Sequence, residues 1–338
     1  MEHVHDFQWK PGISVKEMVD AYGGIGFQSL ELARAADVFV KMKKNNAKIF
    51  LTFTSNMVTS GLRGFFAQLI THGMADIIVT TVGGIEEDIM KAHGEKFSLG
   101  RFSADDVELH EQGINRVGNI LIKNESYMRF EDLITPILQK LYQKQKRWAV
   151  SELLREIGLM LNDQNSILYQ AAKHNIPIFC PAITDGAFGF HLYLIQQKHP
   201  DFIVDVVKDF GNILFSSNFD EKKAVIALGG SISKHHAILC TLLNGGAEYA
   251  VYMTTAQKTS GSMSGATTDE AKSWGKVKDD SDVSTVIGDV TIMFPLAMIK
   301  ALEQLHEEQL LNTKQEQPTK TNNPEINKIQ EDQYHAKS

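Results

Sequence analysis

The chain has 338 residues, 43% hydrophobic and 22% charged, with 34 Lys and Arg against 41 Asp and Glu. At about 150 residues per domain, this length spans one or two domains and supports a large core. The formal charge of −7 argues against broad nucleic-acid or anionic-membrane binding, and two cysteines, Cys180 and Cys240, exclude a disulfide framework and a four-cysteine zinc site. No apolar run approaches the roughly 18 residues of a membrane span. The opening MEHVHDFQWK lacks the basic-then-apolar order of a signal peptide. A soluble, reducing, cytoplasmic setting is the expectation.

Ser14 and Glu17 have capping-box spacing and open a helical pattern to about Lys44, which Gly23, Gly24 and Gly26 can divide in two. Lys48–Thr54 reads as a buried strand, and Ser55–Gly64 as a turn and helix start. Ala75–Thr81 is a second strand that Gly83-Gly84 turns into a helix. Phe130–Tyr142 and Val150–Leu161 are helical, and Ile176–Cys180 is a short strand. Phe188–Gln197 and Phe202–Phe210 read as helices. Lys223–Leu228 is an apolar strand followed by Gly-Gly and a helix over His235–Leu243. Ala247–Thr254 and Val283–Ile287 complete the strands, and Ile292–Leu311 closes the chain.

Strands alternating with helices predict an α/β fold: a doubly wound, mostly parallel sheet with helices on both faces. Apolar segments recur throughout, so residues 1–311 read as one domain. Residues 312–338 carry four lysines, four acids and few apolar groups. That composition predicts a disordered tail, with the charge of −7 in the body.

Ligands in such folds bind at the carboxyl ends of the strands. Four strand ends carry suggestive chemistry. Thr54-Ser55-Asn56-Met57-Val58-Thr59-Ser60-Gly61 offers hydroxyls, an amide and helix-start N–H groups, which suit a phosphate or ribose, or simply cap the helix. In Thr81-Val82-Gly83-Gly84-Ile85-Glu86-Glu87-Asp88 the glycines allow close backbone approach, and the acids also suit the helix dipole. Leu228-Gly229-Gly230 leads to Lys234-His235-His236, where one His is a proton shuttle or a structural group. The fourth runs from Thr254 through a Gly- and Ser-rich loop to Asp269-Glu270-Ala271-Lys272-Ser273-Trp274-Gly275-Lys276. There Thr267 and Glu270 have capping-box spacing, and Glu270 and Trp274 share a helix face. Two decoys are set aside. Gly24-Ile25-Gly26-Phe27-Gln28-Ser29 nearly matches a dinucleotide fingerprint but follows a helix. His3 and His5 have no partner ligands at metal spacing.

These segments carry a resemblance. The motifs SNMVTSG, VTTVGGIEED, HEQGINRVGN, PAITDG, LGGSISKHH, NGGAEYAVYMTTAQ and DEAKSWGK occur in order between Phe7 and Leu305. Together they resemble the deoxyhypusine synthase family, of archaeal type. The resemblance implies a Rossmann-like NAD-binding sheet and a cytoplasmic homotetramer with sites at subunit interfaces. It implies transfer of the aminobutyl group of spermidine, or a related polyamine, to one lysine of the translation initiation factor 5A precursor. The transfer passes through an enzyme-lysine imine. By the same resemblance Lys276 is the nucleophile and His235 the acid/base. Cofactor contacts fall on Ser55, Asn56, Met57, Val58, Thr59, Thr81, Val82, Gly83, Glu87, Asp185, Thr255, Ala256, Asp289 and Val290. Amine contacts fall on Glu86, Glu87, Gly230, Gly261, Ser262, Glu270 and Trp274. No metal, nucleic acid or membrane is implied.

These residue types suit the chemistry. Imine formation needs an uncharged amine, and a free lysine is almost wholly protonated at neutral pH. Burial and neighbouring cations favour the neutral form. Carboxylates hold ammonium groups, and Trp274 offers a π face to a cation or a methylene chain. Eukaryotic members of the family carry Asp where this chain has Phe190 and Met263, and Asn where it has Leu239. The pocket is therefore more apolar and less acidic, which leaves the amine donor open. Two other readings are a homospermidine synthase-like enzyme with a free diamine acceptor and a non-catalytic subunit paired with an active paralogue. Retention of Lys276 weighs against the second.

Overall fold

The computed structural model describes residues 3–311. Six strands form one parallel sheet: β1 (Lys48–Phe53), β2 (Ile77–Thr80), β3 (Ile178–Phe179), β4 (Lys223–Leu228), β5 (Ala247–Thr254) and β6 (Val277–Ile287). Their order is β6-β5-β4-β1-β2-β3. From β1 the chain winds outward to β3, then returns beside β1 as β4 and winds the other way. This is the doubly wound class, and its reversal point lies between β1 and β4.

Strands β1 to β5 read as nearly continuous apolar runs because both faces are covered, whereas the edge strand β6 is polar and partly exposed over Lys278–Asp282. Side chains alternate between two cores. Ile49, Leu51, Phe53, Ile226, Leu228, Val251 and Met253 point into the larger, while Phe50, Val225, Ala227, Ala250 and Tyr252 point into the smaller. Helices α2 (Gln28–Lys44) and α7 (Val290–Glu307) fill the first, with Phe39 meeting Phe294 edge-on at 6.1 Å. Helix α5 (Ser231–Leu243) places Ala237, Ile238 and Cys240 in the second.

Helix α1 (Val15–Tyr22) starts with the expected capping box: Glu17 N donates to Ser14 Oγ at 3.2 Å, and Ser14 N to Glu17 Oε2 at 2.8 Å. The Gly24–Phe27 segment joins α1 to α2, and no strand precedes it. Helix α2 also closes the outer edge of β6. Ile287 N donates to Gln28 Oε1 at 2.6 Å, and Ser284 Oγ to the Glu31 carbonyl at 2.7 Å.

Several boundaries differ from expectation. The helix expected over Phe202–Phe210 is a strand, Ile203–Asp205, followed by a helix at Val206–Leu214. Ile203 and Val204 pair with Arg147 and Trp148, and Asp205 caps the helix by accepting from Lys208 N at 2.8 Å. The helix expected from Phe130 begins at Asn124, the one expected from His235 begins at Ser231, and β6 begins six residues before Val283. A three-stranded antiparallel sheet, Ser98–Leu99, Ile114–Val117 and Ile120–Lys123, was not anticipated. Its hairpin closes on Gly118-Asn119, with Gly118 at φ +62°. Among the described residues no helix is long and apolar enough to cross a membrane, and no cluster of three or more His, Cys, Asp or Glu is placed to hold a metal ion. The tail expected over residues 312–338 lies outside the described residues.

One buried carboxylate ties three helices together. Asp88, on α3 (Val82–Ala92), is 1% exposed. It accepts from Arg63 Nε at 2.5 Å, Ser166 Oγ at 2.8 Å and Leu168 N at 2.8 Å. Asp88→Ala leaves Arg63 with Asp163 alone, 2.6 Å away, and removes the acceptor for the first N–H groups of the Ile167–Lys173 helix, at an expected loss of about 3 kcal/mol in urea unfolding. Asp282→Ala breaks the exposed Lys41 pair, 2.6 Å long, and is expected to cost less than about 1 kcal/mol. Equal losses would contradict this account.

Candidate active site

A parallel sheet places all six strand ends on one edge. Ser55 N, after β1, donates to Thr81 Oγ1, after β2, at 3.0 Å. Gly83 lets these two turns meet, because a Cβ there would lie 2.8 Å from the Ser55 Cβ. The glycine close approach expected toward a ligand is thus partly spent on the protein's own backbone. Gly229, after β4, has φ +86°, and a Cβ on it would lie 3.0 Å from Thr54 Oγ1 across the reversal point. Thr255 and Ala256 follow β5, Asp289 and Val290 follow β6, and Asp185 lies in the turn after β3. All the expected cofactor positions therefore lie along this edge or on the helices leaving it. Some are already engaged: Met57, Val58 and Val290 are packed in the core, and Asp289 caps α7 by accepting from Thr291 N at 2.8 Å.

The acids of α3 do not serve its own dipole, because its first turn holds none. Each points to another element. Glu86 accepts from Phe188 N at 2.9 Å at the start of α4 (Ala187–Lys198). Glu87 accepts from Thr59 Oγ1 at 2.6 Å. Both carboxyls are buried, and neither lines the cavity that holds Lys276.

That cavity has a volume of about 70 Å³ and lies between α5, β5 and α6 (Thr268–Ser273). Lys276, Glu270, Trp274 and Met263 line it, as do Lys234, Ile238, Tyr252 and Thr267. Lys276 is placed by a helix stop. Gly275 at φ +70° ends α6, with Gly275 N bonded to the Lys272 carbonyl at 2.8 Å and Lys276 N to the Ala271 carbonyl at 3.0 Å. This is a Schellman closure. Thr241 Oγ1 and Ala247 N then both donate to the Lys276 carbonyl, at 3.1 Å each. The side chain is 6% exposed, and its Nζ lies 5.0 Å from the centre of the Trp274 ring.

Thr267 caps α6 by accepting from Glu270 N at 3.2 Å. His235 lies on the exposed side of α5; its pKa is lowered by partial burial and then by the Lys276 charge. Neutral imidazole therefore prevails to lower pH than usual, which suits a proton acceptor. Tyr252 is 1% exposed, and its hydroxyl has no protein partner. A buried unpaired hydroxyl on a residue that lines a cavity is a candidate for a polar ligand or water. Sequence alone does not single out Lys234 and Tyr252, because they sit inside an ordinary helix and strand. Phe190, 57% exposed on α4, and the half-buried Leu239 do not line this cavity; Met263 does.

The deoxyhypusine synthase family model matches residues 17–301. The chain belongs to the deoxyhypusine synthase family. A probable deoxyhypusine synthase of Schizosaccharomyces pombe is 40% identical over 303 residues, covering 85% of this chain and 86% of that one. The deoxyhypusine synthase of Senecio vernalis is 37% identical over 335 residues, covering 90% of each. A crystal structure assigned to deoxyhypusine synthase from Entamoeba histolytica aligns over 89% of this chain and 97% of that chain. Its TM-score is 0.62, at 29% identity. Membership of the deoxyhypusine synthase family makes the chain a transferase of hypusine biosynthesis. The expected site residues of the family divide into two groups here. Lys276, Glu270 and Trp274 share the cavity, with His235 near enough to feel the Lys276 charge, while Glu86 and Glu87, on the helix leaving β2, do not line it.

Burial pushes the Glu87 carboxyl up to about 7, against the lowering effects of the Thr59 hydroxyl and Lys91. In the unfolded chain it ionises near 4.5. Between those values the folded protein binds more protons, so this group's contribution to stability falls as pH rises from about 4.5 to 7. Glu87→Gln removes that dependence. The melting temperature of Glu87→Gln minus that of the natural protein is expected to become more positive from about pH 5 to pH 8. A difference that stays flat across the series would refute the assignment.

Proposed function

We propose that the protein transfers the aminobutyl group of spermidine to a lysine of the translation initiation factor 5A precursor, using NAD and an imine on Lys276. The observation that carries this reading is the enclosed Lys276 amine, with Glu270 and Trp274 in its cavity and His235 beside it. The strand-end edge fits a dinucleotide. It has a glycine with positive φ at the reversal point, and hydroxyls and helix-start N–H groups beside it. Ser55–Thr59, Thr81–Gly83, Glu87, Asp185, Thr255, Ala256, Asp289 and Val290 would hold it, with Met57, Val58 and Val290 contributing backbone. When bound, NAD supplies a reversible hydride acceptor for the carbon beside the donor nitrogen.

The chain's own residues do the rest. Glu270 pairs with a donor ammonium, Trp274 covers it, and the Tyr252 hydroxyl offers a hydrogen bond. His235 takes a proton from the donor amine. Lys276 Nζ adds to the activated carbon, and 1,3-diaminopropane leaves, so that the four-carbon unit stays on Lys276 as an imine. The acceptor lysine then displaces Lys276, and return of the hydride taken from the donor would convert the resulting imine to the secondary amine. We read residues 1–311 as one NAD-binding domain working in the cytoplasm. We infer a homotetramer with sites at subunit interfaces, which suits the exposure of Trp274 (64%) and Phe190 (57%).

Met263 favours a second reading. Glu270 is the one carboxylate lining the cavity, which suits a donor with fewer ammonium groups, such as putrescine, and a free diamine acceptor. The two readings differ in whether turnover requires the protein acceptor. Incubation with NAD and spermidine followed by borohydride is expected to add one aminobutyl mass to Lys276, and Lys276→Arg is expected to abolish it. Full transfer by Lys276→Arg would end this mechanism. Met263→Asp adds a carboxylate to the cavity and is expected to tighten spermidine binding about tenfold by calorimetry. Weaker or unchanged binding would place the second ammonium elsewhere.

A further inference from the structure

Lys234 lines the amine cavity but has no part in the steps above. Its side chain is 0% exposed, although lysines usually extend their ammonium to water. It donates to the Ala266 carbonyl at 2.6 Å and the Met263 carbonyl at 3.1 Å, and lies 4.2 Å from the centre of the Tyr252 ring. Burial pushes it down to about 8, which leaves the ammonium form dominant at neutral pH. A buried cation held this way is costly unless its donors find partners, and here one short segment takes two of its three N–H groups, with the Tyr252 ring alongside.

The two carbonyls bracket the turn Met263–Gly265. The turn is held at a second point, where Ser231 N donates to Ser264 Oγ at 3.0 Å. Gly230 permits this approach, because a Cβ there would run into the Ser264 side chain. Residues 257–262 before the turn are almost all exposed and bonded locally, as from Ser260 N to the Gln257 carbonyl at 3.1 Å. The turn that presents Met263 to the cavity thus leaves an exposed loop and rests on the first turns of α5, beside His235.

We propose that Lys234 is a positioning residue that latches the 262–266 turn onto α5 and so holds one wall of the amine cavity opposite Lys276. This rests on reading Lys276 as the nucleophile. Once a donor is seated, Lys276 and His235 act as before, so loss of the latch weakens donor binding more than it slows chemistry.

The test is Lys234→Met, which keeps the alkyl chain and removes the donors and the charge. Amide exchange of the full chain, measured without donor, is expected to speed up roughly ten- to hundredfold over residues 262–267. With spermidine, KM is expected to rise about tenfold while kcat stays within about threefold. Unchanged exchange in that segment, or a fall in kcat at unchanged KM, overturns the proposal. Ser264→Ala cuts the second tie without touching the core, which covers the case that Lys234→Met fails to fold. It too must raise exchange over 262–267, and no rise overturns the latch. A natural protein that forms no trapped adduct would instead overturn the reading of Lys276, while the exchange result still decides the latch.

Discussion

Parallel pairing is the constraint on which the site depends. Strands that all run one way must end on one edge, and each then hands the chain to a helix whose first N–H groups face that edge. The edge therefore collects Ser55, Thr81, Gly229, Thr255 and Asp289 from across the chain without any of them being near neighbours in sequence. At the reversal between β1 and β4, Thr54 and Gly229 come so close that a Cβ on Gly229 would lie 3.0 Å from Thr54 Oγ1. The Lys276 cavity lies on the β5 side of that reversal, formed from residues 234–276. The strand-end ledge and the Lys276 cavity thus meet at α5, which starts at the edge and carries both Lys234 and His235.

Polar groups inside this protein are tied to more than one element. Glu86, Glu87 and Asp88 are consecutive in sequence, yet they engage α4, Thr59 and the Ile167–Lys173 helix respectively. Three acids in a row look like a solvated helix start. Burial makes them joints instead, each satisfied by N–H or O–H groups from another segment. Lys234 follows the same rule with opposite charge.

Much of this was legible in sequence, for identifiable reasons. The strands from β1 to β5 are apolar runs, because both of their faces are buried, whereas the polar first half of β6, Lys278–Asp282, hides its start. The small antiparallel sheet was missed since Ser98–Leu99 has two residues, both exposed, and carries no period. Gly118-Asn119 between Val117 and Ile120 was the available hairpin signal. In the site, Glu270, Trp274 and Lys276 could be seen together because one short helix and its glycine stop present them. Lys234 and Tyr252 could not, because their meeting depends on the register of α5 over β5. The histidine pair also drew attention away from the lysine beside it. The apolar departures at Phe190 and Leu239 had seemed to belong to one pocket with Met263; in the folded chain Met263 alone lines it.

Helix α2 has a further consequence through Gln28 and Glu31. A sheet whose last strand shows open N–H and C=O groups invites another chain to add a strand, which is a common route to aggregation. Here Gln28 accepts from Ile287 N and Glu31 from the Ser284 hydroxyl, so the β6 side is blocked near its end. At the opposite border β3 has two residues, too few to template a partner. Any association between copies of this chain would therefore use helices and loops and not extend the sheet. Such faces can be remodelled by single side chains, whereas a shared sheet would fix register along a whole strand.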